Sequence, residues 1–245
     1  MNTHPATTAS RATCRAVLFD LDDTLVDHRH AAQAAMAGVR ERFPAFASVP
    51  LADLTAEHHR ILELLHREVA LGVLDVAHAR IERYRQLFAF VGADDRHAGA
   101  AAELHRRLYQ SNRRPVPGAL ELVAHIARER PVAVVTNNTV VEQTEKLATF
   151  GFAPHVAALV TSEEVGAAKP DGRIFAAALA RVGCAANEAV MVGDSWVHDV
   201  EGAQAAGIAA VWLARDGGER VDAGVTVLTG LVPADAVAAR ILAAR

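Results

Sequence analysis

A short apolar run that ends in a cluster of acids constrains the fold of this chain more than any other feature. The run Ala16–Phe19 is continuously hydrophobic, which is typical of a strand buried on both faces of a parallel sheet. It leads directly into Asp20, Asp22, Asp23 and Thr24. Carboxylates a few ångströms apart repel by about 4 kcal/mol at an effective dielectric near 20, so the cluster requires a cation, a shared proton or separation. A polar loop with a helix cap is the plain alternative, because Asp and Thr favour both.

Two further apolar runs lie in the second half of the chain and also end in polar residues. Val132–Val135 leads into Thr136, and Ala189–Val192 leads through a glycine into Asp194. Segments with helical periodicity separate these runs, and strands that alternate with helices indicate βαβ units and a parallel sheet. Ligands bind beyond the carboxyl ends of such strands, so we expect Asp20, Thr136 and Asp194 to converge. A weaker strand signal lies at 156–160, and a further strand is predicted at 209–213.

The stretch between the first strand and the second half of the chain carries only helical periodicity. No strand-like run interrupts 26–112, which predicts an all-helical insert of three or four helices. His58 and His59 are expected on a solvated face of this insert and not as ligands. The domain boundaries predicted from these patterns are 1–14 for a flexible leader, 15–26 and 113–245 for a core with the parallel sheet, and 27–112 for the helical insert.

Composition and charge exclude several classes of protein. The net charge of -4 gives no basic excess for binding a nucleic acid polymer, and no apolar run approaches the length that spans a bilayer. Met1–Thr13 lacks the apolar core of a signal peptide, and Cys14 and Cys184 have neither metal-binding nor redox spacing. We therefore expect a cytoplasmic protein that binds neither nucleic acid polymers nor membranes. The sequence leaves the oligomeric state open.

The polar residues at the strand ends suit phosphoryl transfer. A carboxylate nucleophile divides a difficult hydrolysis into two steps through an acyl phosphate. A divalent ion held by acids offsets the repulsion between nucleophile and phosphate, and oxygen ligands favour Mg²⁺. A hydroxyl and an ammonium can take up charge on the phosphoryl oxygens. The chain has only two lysines, Lys146 and Lys169, and Lys169 before Pro170 is the candidate for the ammonium.

On these residues the chain resembles the haloacid dehalogenase-like hydrolase superfamily, in particular its capped phosphatases. The motifs that carry the resemblance occur in the family's order and are Asp20-Leu21-Asp22-Asp23-Thr24, Thr136, Lys169-Pro170 and Gly193-Asp194-Ser195-Trp196-Val197-His198-Asp199. The resemblance implies an α/β fold. It consists of a Rossmann-like parallel sheet with helices on both faces and a small all-helical cap domain inserted after the first strand.

The resemblance also implies catalytic roles for four of these residues. Asp20 would be the nucleophile and a metal ligand. Asp22 would be the general acid and base, and would bind the metal through its backbone carbonyl. Thr136 and Lys169 would hold the phosphoryl group, with Lys169 also paired to Asp20.

The remaining roles implied by the resemblance concern the metal and the phosphate. Asp194 would bind Mg²⁺, and Asp199 would be either a direct ligand or an outer-shell residue that orients the ligands. The backbone N–H groups of Leu21 and Asn137 would help to cradle the phosphate.

Asp22 selects among the reactions of the superfamily. A phosphatase requires an acid two residues after the nucleophile to protonate the leaving alkoxide and then to activate water, and family dehalogenases lack it. Family phosphonatases use a cap lysine, and 26–112 contains none. We therefore expect a Mg²⁺-dependent phosphatase of a small soluble phosphate monoester, either a sugar phosphate or nucleotide-like, acting through a phosphoaspartate on Asp20. A phosphomutase of the same fold and, from another class, a phospho-accepting signalling module are the alternatives.

Overall fold

The structure of the protein is a computed structural model that describes residues 13–70, 73–215, 217 and 224–244. These residues divide into two compact units. One consists of the chain up to Val26 together with the chain from Pro115 onwards, and we call it the core unit. The other runs from Asp27 to Arg114, and we call it the helical unit.

The leader predicted over residues 1–14 lies outside the described residues except for Thr13 and Cys14. Cys14 is buried in the hydrophobic core of the core unit. Next to it, the backbone N–H of Arg15 donates to the carbonyl of Glu188 at 2.7 Å. Cys14 is therefore packed into the core unit.

The core unit contains one sheet of six parallel strands. The strands are β1 (Ala16–Phe19), β2 (Val132–Thr136), β3 (Ala158–Thr161), β4 (Ala189–Gly193), β5 (Ala209–Leu213) and β6 (Thr226–Leu228). Their order across the sheet is β3-β2-β1-β4-β5-β6, and every neighbouring pair is parallel. The three apolar runs with polar ends are thus the adjacent strands β2, β1 and β4, and all of their residues are buried.

The helical unit consists of four helices and a short 3-10 turn. The helices are α1 (His28–Arg42), α2 (Leu51–Ala70), α3 (Val76–Phe90) and α4 (Ala98–Asn112). Apolar side chains three or four residues apart on each helix pack into one core, which includes Met36, Leu54, Leu87 and Ala101. This helical periodicity is the pattern on which the all-helical insert was predicted.

The prediction that His58 and His59 both lie on a solvated face is wrong for His58. Its side chain is buried, with ring centroids 5.7 Å from Tyr84 and 4.7 Å from His105. Burial, assisted by the neighbouring His105, lowers the pKa of His58 well below its ordinary value, so its imidazole is neutral at pH 7. His59 does face solvent, because consecutive residues of a helix point in directions about 100° apart.

Helices cover both faces of the sheet. They are α5 (Ala119–Ala127), α6 (Val140–Thr149), α7 (Ser162–Val165), α8 (Gly172–Val182), a π-helical turn (Trp196–Glu201), α9 (Gly202–Ala205) and α10 (Ala234–Leu242). Val17 and Phe19 pack with α5 and α10 on one face, whereas Leu18 packs with α8 and α9 on the other. The predicted α/β fold, a Rossmann-like parallel sheet with a helical insert after the first strand, is confirmed. Within the described ranges, no helix combines the length and apolar character needed to span a bilayer.

Candidate active site

The buried carboxylate of Asp20 follows the central strand β1 and is hydrogen-bonded through both oxygens. Thr24 Oγ1 donates to Asp20 Oδ2 at 3.0 Å, and Lys169 Nζ donates to Asp20 Oδ1 at 2.7 Å. Thr24 Oγ1 also accepts a hydrogen bond from the backbone N–H of Asp194 at 3.1 Å. One hydroxyl group therefore connects the end of β1 to the end of β4 and fixes the orientation of the Asp20 carboxylate.

The loop after β1 is closed by its own backbone. The N–H groups of Leu25 and Val26 both donate to the carbonyl of Leu21, at 2.8 and 2.9 Å. Within this loop Asp23 has a φ of +67°, in the left-handed region that Asp tolerates better than most residues. The tight turn returns Thr24 to the carboxylate at the strand end.

Lys169 is buried between two carboxylates. Its Nζ lies 2.7 Å from Asp20 Oδ1 and 2.6 Å from Asp199 Oδ1. The side chain of Asn137 fixes the Lys169 backbone, because its Nδ2 donates to the Lys169 carbonyl at 3.0 Å and its Oδ1 accepts from the Lys169 N–H at 2.7 Å. Asp171 then caps α8 by accepting from the N–H of Arg173. The structure thus pairs Lys169 with Asp20 and adds Asp199 as a second partner.

Burial dominates the electrostatics of this cluster. It raises the pKa of Asp20 to about 7, although the Lys169 ammonium opposes the shift, and it also raises the pKa of Asp199. Burial alone would lower the pKa of Lys169, but the carboxylates of Asp199 and Asp20 outweigh this effect and raise it above its ordinary value. One charged ammonium therefore lies between two carboxylates whose ionised forms are destabilised by burial.

Asp199 reaches the site because β4 ends in a glycine. Asp199 Oδ2 accepts from the backbone N–H of Ser195 at 2.9 Å, within the π-helical turn. A Cβ atom added to Gly193 would lie 2.2 Å from Asp199 Oδ2 and 2.5 Å from its Cβ, which is closer than atoms can approach. No residue except glycine fits at position 193 while Asp199 keeps this place. Asp194, the next residue, is held by a hydrogen bond of 2.9 Å from Trp212 Nε1 to its carbonyl.

Replacing Gly193 with alanine is expected to displace Asp199. Forcing a methyl group into packed structure costs about 1–3 kcal/mol, so the free energy of unfolding should fall by that amount and turnover should fall with it. The control is Gly172→Ala at the start of α8, where an added Cβ has no atom within 4 Å. Urea unfolding and turnover of both variants test this. A Gly193→Ala variant with unchanged stability and turnover would contradict it.

The family of the chain follows from a comparison of its sequence with known families. The sequence pattern of the haloacid dehalogenase-like hydrolases matches residues 14–207, which contain every strand-end residue described above. The chain belongs to the haloacid dehalogenase-like hydrolases. This confirms the resemblance on which the site residues were assigned.

Relatives and solved structures agree with this membership. The hydrolase is 34% identical to phosphoserine phosphatase of Thermus thermophilus over 81% of its own length and 88% of the relative. It is 30% identical to glyceraldehyde 3-phosphate phosphatase of Methanopyrus kandleri, over 82% of its own length and 84% of the relative. Its fold is similar to that of the hydrolase YfnB of Bacillus subtilis, whose crystal structure was solved with magnesium bound. The two structures superpose with a TM-score of 0.69 at 24% sequence identity. The superposition covers 94% of this chain and 99% of the YfnB chain.

Three carboxylates of the hydrolase fit a hard divalent cation. Asp20, Asp194 and Asp199 each offer one oxygen, and these oxygens lie within 4.8 Å of one another. Oxygen donors of this type suit Mg²⁺ better than softer metals. Lys169 Nζ contacts two of these carboxylates, Asp20 and Asp199. The N–H groups of Leu21 and Asn137 were predicted to cradle phosphate. Leu21 is the second residue after β1, and Asn137 directly follows β2 at the same sheet edge.

The structure places Asp22 and Thr136 against two residues of α6 that the sequence did not single out as site residues. Lys146 Nζ lies 2.8 Å from Asp22 Oδ1 and 3.0 Å from Oδ2. Gln143 Nε2 lies 2.9 Å from Asp22 Oδ2 and 2.7 Å from Thr136 Oγ1. The sequence carries a weak signal for this contact. Gln143 and Lys146 lie at helical spacing with the buried Leu147, so two polar residues occupy positions on the inward face of α6, where apolar residues are expected.

Proposed function

We propose that this hydrolase is a Mg²⁺-dependent phosphatase that hydrolyses a small phosphate monoester through a phosphoaspartate on Asp20. The observation that carries the proposal is the buried Asp20 carboxylate, held by Lys169 and Thr24, with a second acid, Asp22, two residues further on. The relatives named as phosphatases support the reaction class. Asp22 favours this reaction over dehalogenation, because an alkoxide leaving group needs an acid that a halide does not.

In the first step, an Asp20 carboxylate oxygen attacks phosphorus and the bond from phosphorus to the ester oxygen breaks. Asp22 gives its proton to the departing alkoxide. Lys169 and Thr136 donate hydrogen bonds to the phosphoryl oxygens, and the backbone N–H groups of Leu21 and Asn137 assist. In the second step Asp22 takes a proton from water, whose oxygen attacks phosphorus. The bond to Asp20 then breaks and inorganic phosphate leaves.

Asp20 and Asp194 are the proposed carboxylate ligands of Mg²⁺, together with the backbone carbonyl of Asp22. Asp199 is either a further ligand or the residue that orients Lys169, with which it shares a hydrogen bond of 2.6 Å. Bound there, the ion supplies positive charge that offsets the repulsion between a carboxylate and a phosphate monoester. The proximity of the three carboxylates supports this assignment.

We propose residues 15–26 and 113–245 as the catalytic core and 27–112 as a cap that selects the leaving group. Insertion of an all-helical unit directly after the nucleophile loop supports this division, because such units commonly close over reacting groups. The substrate class is a small phosphate ester such as a sugar phosphate or a nucleotide. The named relatives act on phosphorylated compounds of that size. A cytoplasmic location stays a prediction.

The experiment that tests the function is phosphate release from a panel of small esters, including phosphoserine, glyceraldehyde 3-phosphate, sugar phosphates and nucleoside monophosphates. We expect turnover with Mg²⁺ and its loss with a chelator, restored by adding Mg²⁺ back. Conversion of a sugar phosphate to its isomer without free phosphate would instead indicate a phosphomutase. Stable phosphorylation of the protein without turnover would indicate a signalling module.

A further inference from the structure

Lys146 of α6 is completely buried, although a lysine on a helix normally extends its ammonium into water. A buried ammonium is costly unless it is paired with a carboxylate. Glu142, one helical turn earlier, lies 3.1 Å from Lys146 Nζ and is itself partly exposed. That pair alone could form at the helix surface. The ammonium instead points inward and contacts both oxygens of Asp22, 124 residues away in the sequence.

Gln143 connects the same carboxylate to Thr136. Its Nε2 has two hydrogens and two acceptors within reach, Asp22 Oδ2 and Thr136 Oγ1. In its ionised form, which the second step requires, the Asp22 carboxylate only accepts hydrogen bonds, so it fixes which way the Gln143 amide points. Because Thr136 Oγ1 accepts from Gln143, its own hydrogen is left to donate to another group, such as a phosphoryl oxygen.

We propose that Gln143 and Lys146 are positioning residues of the phosphatase reaction, which hold the Asp22 carboxylate at a fixed place relative to the Thr136 hydroxyl. The proposal rests on the proposed function, since it assigns Asp22 the proton transfers. Lys146 contacts both oxygens of Asp22, so the carboxylate cannot turn without losing a hydrogen bond. Gln143 then ties that orientation to the group that holds the phosphate.

Lys146→Met tests the proposal, because it keeps the unbranched shape and most of the length of the side chain and removes the ammonium. Since a displacement of about 1 Å can cost on the order of 100-fold in rate, we expect kcat to fall about 10- to 100-fold while KM changes less than about threefold. The matched control is Glu142→Gln, which removes the charge of a second carboxylate beside Lys146 and leaves the contacts with Asp22. Its kcat is expected to stay within about threefold of the wild type.

A double-variant cycle separates positioning from a purely structural role. If Lys146 acts through Asp22, Lys146→Met should not lower kcat further in an Asp22→Asn protein, because no carboxylate remains to be positioned. A structural role would lower kcat by the same factor in both backgrounds, and that result would overturn the proposal. Gln143→Met, measured in the same cycle, gives an independent test should Lys146→Met fail to fold.

The outcomes also distinguish this proposal from the proposed function. A wild-type protein that releases no phosphate from any ester of the panel overturns both. An active wild type whose Lys146→Met and Gln143→Met variants retain its full kcat overturns the positioning role alone. A fall in kcat that is confined to proteins carrying Asp22 supports it.

Discussion

Replacing Asp20 with asparagine is expected to abolish turnover and to leave the fold intact. Asparagine has nearly the shape of aspartate but is a far weaker nucleophile, and loss of a nucleophile typically costs on the order of 10⁴-fold or more in kcat. Stability should be retained, because burial disfavours the ionised Asp20 carboxylate and raises its pKa to about 7. The amide can still accept from Lys169, which also keeps Asp199 as its partner. Phosphate release and thermal unfolding measure the two effects.

The matched control for Asp20→Asn is Asp171→Asn. Asp171 caps α8 close to Lys169 in the chain, and asparagine caps helices about as well as aspartate, so its turnover should stay near that of the wild type. A labelled phosphoryl group should be trapped on the wild type during turnover with substrate and not on Asp20→Asn. Release of phosphate by Asp20→Asn at the wild-type rate would show that another residue is the nucleophile.

The parts of the site that could be predicted from the sequence are those with local patterns. A continuous apolar run such as Ala16–Phe19 indicates a strand buried on both faces, and the rule that ligands bind at the carboxyl ends of parallel strands then places Asp20 near Thr136 and Asp194. The strand register confirms that the three strand ends are neighbours, since Phe19 of β1 lies beside Val134 of β2 and Val192 of β4.

The parts that could not be predicted depend on contacts between distant residues. Helical periodicity indicates that Lys146 faces inward, but it does not predict that the Lys146 ammonium contacts the Asp22 carboxylate. The same holds for the side chain of Asn137, whose contacts with the Lys169 backbone are set by tertiary packing. Strand β6 is only three residues long and partly exposed at the sheet edge, so it carries too few residues to show a pattern. His58 has the sequence context of a surface residue and is buried by Tyr84 and His105.

Replacing Lys169 with methionine is expected to have the largest effect on stability. The change leaves Asp20 and Asp199 buried without the ammonium that now lies 2.7 and 2.6 Å from them. Removing one partner of a buried ion pair typically costs about 3–5 kcal/mol, because the charge left behind is uncompensated. Turnover should also be lost, since Lys169 is proposed to hold the phosphoryl group. Unfolding is best measured with a chelator, because a bound cation would take over part of the charge neutralisation.

The loss of stability in Lys169→Met should depend on pH in a defined direction. Asp20 has an ordinary pKa of 3.8 and a raised pKa of about 7 in the folded protein, and removing Lys169 raises it further. A carboxyl group whose pKa is raised on folding destabilises the folded state as pH rises through that value, since the unfolded chain releases its proton earlier. The free energy of unfolding of Lys169→Met should therefore be nearest the wild type around pH 5 and furthest below it around pH 8.

A second substitution tests whether uncompensated charge causes this loss. In Lys169→Met/Asp199→Asn only one of the two carboxylates remains. Compared with Lys169→Met, the double variant should therefore recover part of the lost free energy of unfolding at pH 8. It should recover little at pH 5, because protonation has already removed much of the charge there. Double-variant coupling of this kind is expected only between groups in contact. A loss of stability that is equal at both pH values and unchanged by Asp199→Asn would instead assign the effect of Lys169 to the packing of its side chain.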